Sequence, residues 1–179
     1  MAVMPQLNIR KLEPNAFADY GFMLGGPVPE MGGLTPAFSN EATDFWQEHV
    51  FSTGQGGETE ILWVNYRSQE KRISSLEVHV LTEQAIIPLT ASIIHIVALS
   101  ASDGSPDLSS VAAFEVPVGQ GVCMRPGCWH ATRVQGGQAT CVMLTRRSTT
   151  ADLISHLTSD SDASESRIVG VPEHVLVFE

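Results

Sequence analysis

The sequence predicts a mainly β protein, an antiparallel sandwich or barrel carrying a few short helices. Eight short segments rich in β-branched and aromatic residues follow one another between residues 60 and 145 at near-regular spacing. Their connections are built from Gly, Pro, Ser and Asp, as at 101–107, 118–121, 126–127 and 135–138. No helical pattern intervenes, so the strands connect as hairpins and meanders and not as β-α-β units.

Taken in order, a short entry strand over 7–12 is followed by a compact helix over 13–21. Pro14 suits its first turn, Phe17 and Tyr20 share a face, and Gly21 ends it. Residues 25–40 hold four Gly and three Pro and read as a loop, placed to cover a binding mouth. Residues 44–51 form a short strand or helix with Phe45 and Trp46 as packing anchors. The strand segments are 60–67, 73–80, 84–89, 93–99, 112–117, 121–124, 129–134 and 139–145. A helix over 149–157 follows, capped by Thr149 or Thr150, and two closing strands over 167–171 and 175–178 run along the barrel edge. No internal repeat is visible, and the whole chain, 1–179, is expected to form one domain.

Composition narrows the function. Ten Lys plus Arg against twenty Asp plus Glu give a formal charge of -10, which argues against nucleic acid and against an anionic membrane surface. Part of that acidity sits in the solvated run 159–166. The longest apolar runs, broken by Pro88 and His95, are too short to span a bilayer, and residues 1–8 lack the pattern of a secretory signal. Three cysteines without paired spacing (Cys123, Cys128, Cys141) read as small buried hydrophobes, reduced in a cytoplasmic protein.

Chemistry concentrates in two stretches. Along the strand 73–80, Glu77 and His79 project from one face, and burying a carboxylate beside an imidazole is costly unless they hold each other, a metal or a substrate. The second stretch is 119–130, ending in Trp129 and His130. His49, His95, His156 and His174 have no partners near them in sequence and read as structural or exposed.

Together these stretches resemble the two cupin motifs. Glu77-Val-His79, with Glu83 and Gln84 four and five residues past the histidine, is similar to the first; Gly121, Pro126-Gly127 and His130 are similar to the second. In the first motif Glu77 stands where a histidine is usual, and Gln84 where a carboxylate is usual. The chain further resembles the ureidoglycolate lyase family. That likeness runs through Leu12–Gly21, Glu77–His79, Gln84–Pro88, Pro106–Ser109, Gly119–Val122, Trp129-His130 and Val171–Phe178. The resemblance implies a cupin-like antiparallel β-barrel, a jelly roll or double-stranded β-helix.

It also implies a cytoplasmic lyase of the allantoin branch of purine breakdown, releasing urea and glyoxylate from ureidoglycolate. His79, His130, Glu77 and Gln84 become the catalytic candidates, and Arg67, Arg125 and Arg146 the clamps for a small anionic substrate. Trp129 is a weaker substrate contact. His79, His130 and Glu77 would hold a divalent metal, with nitrogen and oxygen ligands suited to Ni, Mn, Fe or Zn, and no organic cofactor is expected. Homodimerisation is expected because barrel edges need covering. Arg125, Ala131 and Thr145 depart from the family pattern. They keep open a different small hydroxy or amino acid as substrate, or a non-catalytic cupin that binds a small carboxylate.

Overall fold

The computed structural model describes residues 5–26, 36–159 and 161–178. The chain opens with β1 (Gln6–Lys11), a one-turn helix α1 (Pro14–Phe17) and β2 (Gly21–Leu24), followed by the two-residue strands β3 (Phe38–Ser39) and β4 (Asp44–Phe45). The main strands are β5 (Thr59–Tyr66), β6 (Arg72–His79), β7 (Gln84–Pro88), β8 (Ile93–Ala98), β9 (Ala112–Val116), β10 (Gly121–Met124), β11 (Trp129–Arg133) and β12 (Ala139–Arg146). Helix α2 (Arg147–Ser159) and the long strand β13 (Ser166–Val177) complete it.

Six strands close into a barrel in the order β1-β13-β6-β11-β8-β9, and a five-stranded sheet, β2-β10-β7-β12-β5, packs beside it. The pairings are antiparallel except those of β1, which runs parallel to both β13 and β9. Strand alternation divides the apolar residues into two clusters. One gathers Leu76, Val78, Ile94, Ile96, Trp129 and Leu176 from the barrel strands. The other joins Phe17, Phe114, Val97, Ile86, Val122 and Met143, contributed by both sheets. Phe17 packs edge-on to Phe114 at 5.4 Å between centroids, which fixes α1 against the barrel wall.

The expected cupin-like, mainly β fold is the one observed, with four local corrections. The helix expected over 13–21 is one turn only, because residues 21–24 pair with β10 instead. A side chain at Gly21 would collide with the Cys123 carbonyl, so glycine permits that pairing and does not merely end a helix. Phe45 is no core anchor: it is exposed and stacks on Phe38 across β3 and β4. The closing segments form one strand with a register shift between Gly170 and His174, and β13 lies inside the barrel between β1 and β6, not at an edge. Most of the loop expected to cover a binding mouth, residues 27–35, lies outside the described residues.

Candidate active site

Glu77 and His79 leave β6 on the face away from Leu76 and Val78, as the two-residue period requires. His130 stands directly opposite Glu77 in the β6–β11 register, while its neighbour Trp129 turns to the other face. Two histidines 51 positions apart in sequence thus meet, with ring centroids 5.2 Å apart. Glu77 Oε1 serves both rings, 3.0 Å from His79 Nε2 and 3.6 Å from His130 Nε2. The three groups are close enough to share a metal ion.

The outer nitrogens fix how the rings present themselves. His130 Nδ1 donates to the Cys128 carbonyl at 3.1 Å, since a carbonyl can only accept, and Nε2 is the nitrogen turned toward Glu77. His79 Nδ1 lies 3.0 Å from the Ser166 hydroxyl. Despite its short distance to Glu77, His79 Nε2 is off the axis of a hydrogen bond and has no hydrogen-bond partner. Burial pushes the Glu77 carboxyl upward, but both imidazoles outweigh it and hold the carboxyl well below its usual range. Burial is also the main reason that the His79 imidazole lies below its usual range.

These groups face a cavity of about 410 Å³ between the barrel and the five-stranded sheet. Gln84 enters it from β7 with its Oε1 buried and unpartnered. Hydroxyls of Ser75, Tyr66, Thr132, Thr145 and Thr149 stand among Leu62, Val64 and Met143 on its walls. A carboxylate oxygen between two imidazole nitrogens, one of them without a hydrogen-bond partner, and an orphaned amide oxygen make a cluster of potential ligand atoms. That centre fits a divalent cation held by Glu77, His79 and His130, with Gln84 alongside.

The remaining candidates stand outside the large cavity, although Arg125 borders a small second pocket with His79, Gln84 and His130. Arg67 is exposed and donates to Gln138 at 2.8 Å. Arg125 caps the Ala18 and Asp19 carbonyls and lies over the Phe22 ring. Arg146 donates to the carbonyls of Thr53 and Gln55 and to Ser148, pinning the 53–57 turn. None of the three lines the large cavity, and Trp129 is fully buried in the barrel cluster, so the clamp and the substrate contact expected of them are not built there. Arg133 does border the cavity, but it donates to the Glu70, Thr132 and Arg72 carbonyls.

Two of the histidines expected to be structural or exposed sit in polar clusters. His95 is fully buried behind His130, rings 5.8 Å apart, and contacts Thr132 and Met124; burial pushes its imidazole down to about 3. His49 lies 2.9 Å from Glu83, which also accepts from the Ser52 amide, and with Cys123 they form a second cluster. The period of β8 placed His95 beside strand β11 in principle; nothing in the sequence tied the loop residue His49 to Glu83.

Residues 4–163 match the ureidoglycolate lyase family. No curated protein sequence matches the chain. Among solved structures it is similar to a dTDP sugar isomerase from Desulfovibrio desulfuricans G20, at 15% identity and a TM-score of 0.43, covering 76% of this chain and 80% of that one. It is also similar to a Bacillus subtilis oxalate decarboxylase, at 11% identity and a TM-score of 0.36, covering 82% of this chain and 46% of that one. A Lactobacillus farciminis oxalate decarboxylase gives 11% and 0.37, with coverages of 77% and 47%. The chain thus spans under half the length of either decarboxylase. With the match running over nearly its whole length, the chain belongs to the ureidoglycolate lyase family, and it is a lyase that cleaves ureidoglycolate.

Proposed function

We propose that a single domain releases urea and glyoxylate from ureidoglycolate at the Glu77–His79–His130–Gln84 centre, as a step of the allantoin branch of purine breakdown. The observation that carries this reading is one carboxylate oxygen shared by two buried imidazoles on the wall of a cavity fit for a small polar acid. The reaction moves one proton. The substrate hydroxyl loses it as its oxygen becomes the aldehyde oxygen of glyoxylate, the carbon–nitrogen bond breaks, and the departing urea nitrogen gains it.

Glu77 is the chain's own group for that transfer. Its Oε1 is engaged with the imidazoles, leaving Oε2 outside both contacts and able to take the hydroxyl proton and return it to nitrogen on the same carbon. Gln84 cannot act as a base, but its amide oxygen accepts from the substrate. Glu77, His79 and His130 would hold a divalent ion such as Ni, Mn, Fe or Zn, which would acidify the substrate hydroxyl and offset the substrate carboxylate. That balance matters because Arg67, Arg125 and Arg146 are committed to other partners and Arg133 spends donors on three carbonyls. The hydroxyls of Ser75, Thr132 and Thr149 complete the polar lining.

The cytoplasm suits three buried, unpaired cysteines. A homodimer is supported by β5, the edge strand of its sheet, on which Ile61 and Trp63 are 68% and 71% exposed. The proposed function is tested by a coupled glyoxylate assay on the purified protein and on His130→Ala. Turnover of millimolar ureidoglycolate by the first and its loss in the second are expected; absence of turnover in both would overturn the proposal.

A further inference from the structure

Among the described residues, five buried side-chain polar atoms lack a hydrogen-bond partner: Glu60 Oε1, His79 Nε2, Gln84 Oε1, Trp129 Nε1 and Thr145 Oγ1. Three of the five belong to one row across the five-stranded sheet. Thr145 of β12 pairs directly with Glu60 of β5. On its other side β12 pairs with β7 up to Leu144 opposite Ala85, and continuing that register by one residue sets Gln84 opposite Thr145. Opposed residues in adjacent strands point to the same face, with Cβ atoms roughly 5 Å apart.

That face is the one toward the cavity. Gln84 and Thr145 line it and are 6% and 1% exposed. Along β5 the residues alternate between exposed and covered, which puts Glu60 on the same side as Leu62, Val64 and Tyr66, all cavity-lining. The next row inward, Leu62, Met143 and Ile86, is wholly apolar. The polar row is therefore confined to one end of the sheet, the end beside the metal-binding candidates.

The row is short of donors. Of its carboxylate, hydroxyl and amide oxygens only the Thr145 hydroxyl can donate, and its single proton serves at most one neighbour, so acceptors are left over until a ligand brings N–H groups. We infer that Glu60, Thr145 and Gln84 form the subsite for the ureido end of the substrate, whose NH and NH2 groups supply the missing donors. The inference rests on the reading of this cavity as the lyase site. It makes Thr145 and Glu60 determinants of specificity, separate from the groups that move the proton.

Two stable ligands isolate the effect. N-carbamoylglycine carries the ureido group and the carboxylate but no hydroxyl, so it is not cleaved. N-acetylglycine replaces its NH2 by CH3 at nearly constant shape. Calorimetric titration of the wild-type protein should show N-carbamoylglycine bound about tenfold or more tightly than N-acetylglycine, the discrimination expected when a buried acceptor is left unpaired. Thr145→Val should remove most of that preference, and Thr145→Ser, which keeps the hydroxyl, should retain it. Equal affinities in the wild type, no binding of N-carbamoylglycine at about 10 mM, or parallel losses in the Val and Ser variants would overturn the inference. The outcomes also separate it from the parent reading. A ureido preference without turnover of ureidoglycolate leaves the acceptor row standing and sinks the lyase assignment of this cavity, whereas turnover without preference does the reverse.

Discussion

Glu77→Gln is the sharpest perturbation of the site, because it keeps the shape of the side chain and removes only the charge and the basicity. In the wild type, Oε1 lies 3.0 and 3.6 Å from two imidazole nitrogens, and His130 is oriented by its Nδ1 contact with the Cys128 carbonyl. An amide in the same place can neither accept the hydroxyl proton nor supply the negative ligand of a cation site. Loss of a positioned general base alone costs roughly 10²–10⁴ in rate. A fall of about 10³ in kcat/KM, equivalent to roughly 4 kcal/mol of transition-state stabilisation, is therefore expected. The assay is glyoxylate release coupled to its enzymatic reduction, run beside elemental analysis, with the variant retaining less divalent metal than the wild type. Folding should survive, since the amide keeps the size and shape of the carboxylate on the cavity wall. Activity within tenfold of wild type in a normally folded Glu77→Gln protein would refute the assignment of Glu77 to proton transfer.

Three further outcomes follow from particular contacts. Chelation of the protein with dipicolinate should abolish turnover and readdition of a single divalent ion should restore it; full activity of metal-free protein would exclude the proposed ion. Asp152 accepts from the Ser164, Glu165 and Ser166 amides, joining α2 to the start of β13 and so to the serine beside His79. Asp152→Ala should cost about 2 kcal/mol in denaturant unfolding, the range for hydrogen bonds to a charged group. Burial pushes the Asp152 carboxyl upward, but these hydrogen bonds hold it below its usual value. Its contribution is thus present above the unfolded-state pKa near 4 and lost as pH falls through the lower folded value; equal acid sensitivity of wild type and variant below about pH 4 would contradict this. Trp63→Glu should shift the light-scattering mass from dimer to monomer without loss of fold, and an unchanged mass would remove β5 from the interface.

The barrel was legible because its strands carry their own period. Gly and Pro punctuate them, and the expected segments fall within a residue or so of β5 to β12. What was not legible depends on partners distant in the chain. β2 went unread, with Gly21 taken as the end of a helix, because only the proximity of the Cys123 carbonyl on β10 explains that glycine. The closing strand was divided in two because its register shift between Gly170 and His174 includes Pro172, which has no amide hydrogen to donate. The surroundings of the arginines were hidden for a similar reason. A guanidinium at a strand end answers whichever acceptors are nearest, and here these include turn carbonyls and Gln138.

Within the site, the same two-residue period settles a choice that spacing alone leaves open. Glu83 and Gln84 are both at the right distance from His79, and chemistry favours the carboxylate as a ligand. Adjacent residues on a strand face opposite ways, however, and β7 must present Ile86 to the core between the sheets. Gln84 shares the parity of Ile86 and enters the cavity, so Glu83 is turned away, where His49 and the Ser52 amide satisfy it. Core packing therefore decides which of two neighbouring polar residues meets the substrate. A neutral amide in that position, beside an uncharged Thr145, leaves Glu77 as the one carboxylate beside the two imidazoles, with Glu60 two strands away on β5. With the negative charge at the imidazoles limited to Glu77, an anionic substrate and a divalent cation can bind there together at less electrostatic cost than a second carboxylate at position 84 would impose.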